Sequence, residues 1–368
     1  MIKGLYIHIP FCDFICPYCD FKKRLKDDLI EKEYRDSLIK EILNKKEYLN
    51  DIDTIYIGGG TPTAFSYLED ILKTLDSIID LSNIKEFTIE STSNRCLDYL
   101  DLFTKYHVNR LSIGVESFDD KLREYLKRTD ETKEELIEKI NRIREKGINN
   151  INLDFIYSMP YSSLSTIKND LELIKEINPT HISFYDLIIE KNTQLSYDLK
   201  RNKVSLPSEN ESVRMRDLIN KTLKQYGYKR YEISNWRKEG YESIHNKYYW
   251  NLEEYISFGV SSHSFYNNRR YENISNIKEY IRLIKNNDYI SIIKEEDTNL
   301  KSEYFIIGLR LISGVSLSKY TNLFNSDPFK DFNIQKLLDN KLLVKRGDNI
   351  RLSKRGLEVA NIVFMEFI

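Results

Sequence analysis

Short apolar runs alternate with longer amphipathic segments over the first half of the 368-residue chain. The runs are rich in Ile, Val, Phe, Tyr and Leu and span residues 4–9, 54–57, 86–90, 110–115, 150–156 and 181–187. Runs of this length and composition are typical of buried strands. The segments between them carry helical spacing, as at 30–48, 68–79, 132–146 and 165–177. Repeated strand–helix units predict a parallel sheet, and six strands suit either an open doubly wound sheet or an incomplete barrel.

The pattern changes after about residue 200. A helix is predicted at 208–226, and an aromatic-rich stretch that we expect to be irregular follows at 228–271. Further helices are predicted at 301–311, 317–324 and 334–339, then a hairpin in 342–353 with a Gly-Asp-Asn turn, and a last helix at 354–367. Helices with a hairpin are similar to a winged-helix α+β module. We therefore expect three segments, at 1–200, 201–295 and 296–368.

Charge and composition argue against several classes of protein. The 56 basic and 57 acidic residues give a net charge of -1, whereas proteins that coat nucleic acid or anionic membranes are usually basic. Residues 301–368 hold 11 basic and 7 acidic residues, so we expect no nucleic-acid partner and interpret this module as a cover for the barrel or a partner surface. No segment approaches the roughly 18 apolar residues of a membrane helix. The N-terminus lacks the features of a secretion signal, so a cytoplasmic location is expected.

Three of the four cysteines form one motif. Cys12, Cys16 and Cys19 have the spacing C-x3-C-x2-C directly after the first predicted strand, whereas Cys96 is distant and is interpreted as a buried free thiol. Thiolates select zinc, copper or iron–sulfur clusters. A structural zinc ion usually takes four ligands, which Cys96 or a histidine would have to complete. A four-iron four-sulfur (4Fe-4S) cluster accommodates three cysteines and one open iron, so the motif favours the cluster.

With Tyr18 before its last cysteine, this motif resembles the signature of the radical S-adenosylmethionine (SAM) enzymes. The resemblance implies a partial parallel (β/α)6 barrel and a 4Fe-4S cluster whose open iron binds the amino and carboxylate groups of SAM. It also implies cleavage of SAM to a 5′-deoxyadenosyl radical. In such proteins the cofactor carries the hard chemistry, and the protein positions it and excludes water.

Further motifs extend this resemblance to the site of SAM. The run GGGTPT follows the second predicted strand, where glycine lets the backbone approach a ligand closely. The resemblance assigns the cofactor site to Tyr6, Tyr18, Gly59, Gly60, Thr61, Glu90, Glu116, Arg128 and Asp154. Without a ligand, Glu90 would be a solvated strand-end residue, and Arg128 and Asp154 ordinary surface or capping residues. Relatives mostly have Gln at the position of Glu116, whose carboxylate must be protonated or paired beside that of SAM.

Several blocks are similar to the coproporphyrinogen dehydrogenase-like branch of that superfamily and, within it, to the HemW-type heme chaperones. They include YIHIPFC, CPYCDF, GGGTPT, RLSIGVESF and HNKYYW, and the resemblance extends over nearly the whole chain. The dehydrogenases carry a further cysteine where this chain has Phe21, and a long extension before the residue matching Tyr6. Both features favour the chaperone. An oxygen-independent coproporphyrinogen III dehydrogenase of porphyrin biosynthesis remains the alternative, and the near-neutral charge argues against a radical-SAM enzyme that modifies RNA.

The His-Asn-x-x-Tyr-Trp block at His245 resembles the heme-binding motif of that branch. Neutral imidazole is a common ligand of heme iron, and the neighbouring aromatic rings offer flat faces to a porphyrin. The alternative is an aromatic packing cluster around a hydrogen-bonded histidine. His263 is a second candidate ligand, and structural roles are expected for His8, His107 and His181. The resemblance implies heme as cargo, apo-hemoprotein acceptors that include membrane-associated ones, and a homodimer when the cluster is bound.

Overall fold

The structure is a computed structural model that describes residues 1–128 and 131–368. Its strands are β1 (Gly4–Ile9), β2 (Phe11–Cys12), β3 (Arg24–Leu25), β4 (Thr54–Gly59), β5 (Glu86–Ser91), β6 (Arg110–Glu116), β7 (Asn150–Tyr157), β8 (His181–Asp186), β9 (Lys229–Glu232), β10 (Asn235–Arg237), β11 (Tyr255–Phe258), β12 (His263–Tyr266), β13 (Arg269–Asn273), β14 (Ile293–Glu296), β15 (Val315–Ser316), β16 (Leu343–Arg346) and β17 (Asn349–Leu352).

The α-helices are α1 (Asp28–Asn44), α2 (Leu68–Asp76), α3 (Ser93–Cys96), α4 (Leu100–Lys105), α5 (Asp120–Leu126), α6 (Lys133–Glu145), α7 (Leu164–Ile177), α8 (Gln194–Lys200), α9 (Glu209–Gln225), α10 (Ile244–Trp250), α11 (Ile277–Lys285), α12 (Leu300–Gly308), α13 (Leu317–Phe324), α14 (Pro328–Asp331), α15 (Ile334–Asp339), α16 (Lys354–Glu358) and α17 (Ala360–Met365). Short 3-10 helices lie at Lys46–Leu49, Pro62–Ala64, Leu81–Asn83 and Leu97–Tyr99. Across the ranges that the structure describes, no helix has both the length and the apolar character needed to cross a membrane.

A twelve-stranded sheet forms the body of the protein, in the order β14-β13-β12-β11-β1-β4-β5-β6-β7-β8-β10-β9. From β1 through β4 to β8, each strand lies parallel to the next one along the chain. A doubly wound sheet reverses its strand order at a switch point, and these six described strands have no such reversal. The prediction of an incomplete parallel barrel is therefore confirmed, and the open doubly wound alternative is wrong.

Alternate residues of each parallel strand face opposite sides of the sheet. On β1, Leu5, Ile7 and Ile9 are fully buried in the apolar core that the sheet shares with the surrounding helices. Tyr6 and His8 lie on the other face, which is the barrel interior, where their side chains are hydrogen-bonded to each other at 3.0 Å. The barrel interior is therefore lined by polar groups, unlike the layer between the strands and helices.

Helix α10 closes the barrel at the N-terminal ends of the parallel strands, which we call the base. The carboxylate of Glu86, at the start of β5, accepts hydrogen bonds from Ser243 Oγ at 3.0 Å, Ile244 N at 2.7 Å and His245 N at 3.1 Å. A carboxylate at a helix N-terminus satisfies amides that have no partner within the helix. Residues 243–250 consequently lie at the base, and the cysteine motif lies at the opposite end, which we call the mouth.

The expectation of an irregular stretch at 228–271 is wrong. This stretch contains β9–β13 and helix α10, and β11 lies parallel to β1 and extends the barrel. The strands escaped prediction because each has only three to five residues and because β9 and β10 change register at Asn235. The single last helix predicted at 354–367 is also wrong, since Val359 leaves helical geometry and separates α16 from α17.

The C-terminal segment has its own apolar core, to which Phe305, Tyr320 and Ile334 contribute fully buried side chains. Its three-stranded sheet has the order β15-β17-β16, and the predicted helices at 317–324 and 334–339 are confirmed. The hairpin turn is Gly347-Asp348, with Gly347 at a φ of 60° and the predicted turn residue Asn349 already in β17. This small α+β domain, similar to a winged helix, is therefore present beside the barrel.

Candidate functional site

The cysteine motif forms a loop at the mouth, between β1 and the start of α1. Cys12 ends β2 and is 8% exposed, whereas Cys16 and Cys19 are half-buried, and all three thiols are free. The pKa of Cys12 is raised to about 11, mainly by burial and in smaller part by the sulfurs of Cys16 and Cys19, whose negative charges would repel its thiolate. The three thiols therefore share one loop at the mouth, as ligands of one cofactor must.

The glycine run packs directly against this loop. A Cβ atom on Gly60 would lie 2.7 Å from the carbonyl oxygen of Phe11 and 3.0 Å from Cys12 Sγ, so a side chain there would clash. Gly59 has a φ of 113° and donates its N–H to Glu90 Oε2 at 2.9 Å. Thr61 Oγ1 lies 3.8 Å from Cys12 Sγ as a hydrogen-bond donor. The structure thus brings the predicted glycine motif and the cysteine motif together.

Arg128 lies between Glu116 and the cysteine loop. Its Nη2 atom is 3.1 Å from Glu116 Oε1 and 3.8 Å from Cys16 Sγ, and its Nη1 donates to the carbonyl of Gly114 at 2.5 Å. Burial raises the pKa of Glu116, while the guanidinium of Arg128 and the Tyr18 hydroxyl act to lower it. Glu116 has a φ of 66°, a left-handed conformation that non-glycine residues rarely adopt. The carboxylate of Glu116 is therefore paired with the guanidinium of Arg128, one of the two states that the sequence allowed for it.

Glu90 and Asp154 are hydrogen-bonded members of the barrel interior. Glu90 accepts from Tyr56 Oη at 2.7 Å in addition to Gly59 N, and burial raises the pKa of Glu90 to about 7. Asp154 accepts from Ser112 Oγ at 2.8 Å and from Asn152 Nδ2 at 2.9 Å. Without a ligand, both residues were expected to be ordinary solvated surface groups. The hydrogen bonds show that neither carboxylate is such a group.

His245 lies at the base, away from the cysteine loop. Its ring is fully buried, with Nδ1 at 2.8 Å from Thr54 Oγ1 and Nε2 at 2.7 Å from Tyr249 Oη. Burial lowers the pKa of His245 to about 3, so the ring is neutral at physiological pH. Both ring nitrogens are therefore hydrogen-bonded. This is the arrangement expected if the motif is an aromatic packing cluster around a histidine and not a heme site. The structure does not bring His245 together with the other predicted site residues.

A cavity of about 810 Å³ adjoins the cysteine loop. Its walls come from β1, β11, β12, β13, α10 and the residues that follow Cys19. The lining combines aromatic and charged side chains; the lining residues are Tyr6, His8, Asp20, Phe21, Lys22, Lys23, Tyr249, Tyr255, Ser261, His263 and Glu272. Phe21, which stands where the dehydrogenases have a further cysteine, is 70% exposed at the rim.

His8, His181 and Cys96 have the structural positions that the sequence predicted for them. His8 Nε2 is hydrogen-bonded to the Lys22 carbonyl at 2.8 Å and so fastens the cysteine loop to β1. His181 is fully buried between Asn152 and Tyr231, and His107 is exposed in a left-handed turn after α4.

Cys96 is a fully buried free thiol that donates to the carbonyl of Ser93. It therefore does not complete a zinc site, and within residues 1–128 and 131–368 no group of three or more His, Cys, Asp or Glu side chains is arranged to hold a single metal ion.

Sequence reasoning missed Tyr56 and did not foresee the contact that Tyr249 makes with His245. Tyr56 holds Glu90 in place, and Tyr249 both covers His245 and lines the cavity. Tyr56 precedes Gly58 by two residues on β4 and therefore shares its inward face, so strand alternation offered a signal. Tyr249 is one of the aromatic residues that the motif of His245 offered to a porphyrin, but its contact with His245 was not predictable, because that contact depends on how α10 packs at the base.

The chain is similar to known proteins over its whole length. The model of the Radical SAM superfamily matches residues 6–174, and that of the HemN C-terminal domain matches residues 298–359. The heme chaperone HemW of Lactococcus lactis is 34% identical over 100% of this chain and 97% of its own length. The heme chaperone HemW of Bacillus subtilis is 32% identical over 100% and 99%. This chain belongs to the HemW family of the radical SAM superfamily.

Membership of the HemW family agrees with the fold. The solved structure of coproporphyrinogen III oxidase (HemN) from Escherichia coli, a radical SAM enzyme, matches with a TM-score of 0.85 at 19% identity. The match covers 100% of this chain and 90% of that chain, so the barrel and the C-terminal domain are both shared. Radical SAM membership implies a 4Fe-4S cluster and SAM as cofactors.

Proposed function

We propose that this protein is a heme chaperone that binds heme beside a SAM-binding iron–sulfur cluster and transfers it to apo-hemoproteins. The observation that carries the proposal is the cavity of about 810 Å³ next to the cysteine loop, with aromatic walls and lysines at its rim. Full-length relatives with the name heme chaperone support it. Flat aromatic faces suit a porphyrin, and lysines suit its propionates.

The donor set at the mouth fits a 4Fe-4S cluster held by Cys12, Cys16 and Cys19. The thiols are free, and the space that a Cβ on Gly60 would take is needed by the loop backbone and Cys12 Sγ. Thr61 and Arg128 each direct a donor at a cysteine sulfur and would partly balance the negative charge of bound thiolates. When bound, such a cluster offers an open iron to SAM and one electron for its cleavage.

For SAM, we propose the surface formed by the glycine run, Glu90 and the Glu116–Arg128 pair. Glu90 already accepts a hydrogen bond from Gly59 N. Its pKa is raised to about 7, and a nearby ammonium group would favour its ionised form. The Glu116–Arg128 pair cancels charge locally, which limits repulsion of a ligand carboxylate. Tyr6, Tyr18 and Asp154 complete the proposed pocket through their contacts with His8, Glu116 and Ser112.

The three predicted segments fit separate tasks in this proposal. Residues 1–200 would hold the cluster and SAM, and residues 201–295 would form the heme cavity together with residues 1–200, which line its other part. Residues 296–368 would cover the barrel or contact a partner. A cytoplasmic location, a cluster-dependent homodimer and acceptors that include membrane-associated hemoproteins belong to the same proposal.

The second candidate is an oxygen-independent coproporphyrinogen III dehydrogenase in porphyrin biosynthesis. The shared fold of the HemN structure favours it. Phe21 argues against it, because the cavity rim has an exposed aromatic ring at the position of the additional cysteine.

An anaerobic assay tests the proposal. Cluster-reconstituted protein is titrated with heme, and the complex is then mixed with a heme-depleted cytochrome whose activity is followed. We expect saturable binding of one heme per chain and recovery of cytochrome activity. Failure to bind heme, or turnover of coproporphyrinogen III with release of carbon dioxide, would contradict the proposal and favour the second candidate.

A further inference from the structure

We infer that His263 binds the heme iron in the cavity and that Glu296 orients its ring. The inference rests on the proposed function, since it concerns the ligand of the same heme. It differs from the expectation that the His-Asn-x-x-Tyr-Trp motif supplies the ligand. The inference rests on the difference between His263, which faces the cavity, and His245, which is fully buried.

His263 begins β12 on the open side of the barrel. Its side chain is 48% exposed and lines the cavity of about 810 Å³. Nδ1 lies 3.5 Å from Glu296 Oε2 on β14, and Nε2 has no hydrogen-bond partner among the described residues. One ring nitrogen therefore faces a carboxylate, while the other is open to a ligand.

This arrangement is the usual one for histidines that bind metals. A carboxylate at Nδ1 favours the tautomer with the proton on that nitrogen and leaves a lone pair on Nε2. His245 has no such freedom, since its Nε2 is hydrogen-bonded to Tyr249 at 2.7 Å. An iron atom could reach His245 only after Tyr249 moved, whereas His263 needs no rearrangement.

The surroundings of His263 suit the rest of a heme. Tyr6, Tyr255 and Phe21 present ring surfaces to the same cavity. Lys22 also lines it, and its ammonium group makes no hydrogen bond or ion pair with any residue in the described ranges. The acidic lining residues, Asp20 and Glu272, would repel the heme propionates, so we expect the propionates on the Lys22 side.

The test compares four variants in the cluster-loaded full chain. His263→Ala and the more conservative His263→Gln remove the proposed ligand, His245→Ala removes the motif histidine, and His107→Ala is a matched control at an exposed histidine outside the cavity. Heme affinity is measured by anaerobic titration, and iron ligation by the absorbance and electron paramagnetic resonance spectra of ferric heme. Thermal melts check that each variant is folded.

We expect both His263 variants to lose at least tenfold in heme affinity and to lose the histidine signature in the spectra. Added imidazole should restore that signature to His263→Ala, because it can replace the missing ring. Glu296→Gln should weaken affinity a few-fold and shift the spectrum, and His245→Ala and His107→Ala should stay within about twofold of the wild type. Unchanged spectra in both His263 variants, together with lost ligation in His245→Ala, would overturn the inference alone. Absence of heme binding by the wild type would instead overturn the proposed function.

Discussion

The two ends of the barrel differ in their hydrogen bonding and in their backbone conformation. At the base, Glu86 satisfies three donors of α10, and both nitrogens of His245 are hydrogen-bonded. At the mouth, Glu116 has a left-handed backbone, and Arg128 directs a donor at the sulfur of Cys16. Strained backbone conformations cost stability and persist at functional sites, whereas hydrogen-bonded buried groups hold a fold together. The comparison teaches that the base is built for rigidity and the mouth for binding.

The largest effect should come from removing a cluster ligand at the mouth. Cys12→Ala leaves two thiols in the motif, which are too few to retain the cluster, so we expect complete loss of the visible absorbance of the cluster after reconstitution. Cys96→Ala is the matched control, since this thiol is buried away from the loop and should leave cluster content unchanged. Equal cluster content in both variants would break the assignment of the mouth.

A substitution at the base should instead lower the free energy of unfolding. Glu86→Ala leaves three donors of the α10 segment without their acceptor and Arg110 buried without its compensating charge. We expect the free energy of unfolding to fall by about 3–5 kcal/mol, as measured by urea denaturation. The exposed pair of Glu69 and Lys105 gives the control, because Glu69→Ala should cost less than about 1 kcal/mol. Similar losses in the two variants would show that the base is not a special support.

The pH dependence of stability should differ between the two ends. Burial raises the pKa of Glu90 from 4.5 to about 7, so the folded state binds more protons than the unfolded state between these values. Stability contributed by the neutral carboxyl is therefore lost as pH rises from about 5 to 7, by about 1–3 kcal/mol.

Glu90→Gln, which cannot ionise, should lack this loss in urea denaturation of the cluster-free protein at pH 5, 6, 7 and 8. The base has the opposite sign, since the pKa of His245 is lowered to about 3 and its contribution is lost as pH falls below about 6.5. A wild-type profile parallel to that of Glu90→Gln would contradict the burial argument.

The smallest effect is expected at the cavity rim. Phe21→Ala removes a ring that is already 70% exposed, so the free energy of unfolding should stay nearly constant. Heme affinity should fall by a factor of about 2–10, the worth of one aromatic contact. Leu29→Ala, an exposed apolar residue outside the cavity lining, is the control for a general loss of surface apolarity. An equal effect of both substitutions would detach Phe21 from the heme site.

Much of the fold was predictable because local signals agree with tertiary structure. The six parallel strands follow short apolar runs, and capping residues such as Thr132 and Ser208 begin the helices predicted beside them. The region 228–271 was not predictable, because its strands are short and aromatic residues obscure their alternation.

The site divides in the same way. The cysteine and glycine motifs are adjacent in the chain to the strands that position them, so sequence alone located them. The contact of Arg128 with Glu116 spans helix α5, and nothing in the motif of His245 indicates which end of the barrel it occupies. These placements depend on packing between distant segments.

The crystal structure of the cluster-loaded protein with heme tests the central claim most directly. The account predicts heme in the cavity beside the cysteine loop, with iron bound to Nε2 of His263 and with Tyr249 still hydrogen-bonded to His245. Iron bound to His245 with Tyr249 displaced, or heme bound outside this cavity, would contradict it.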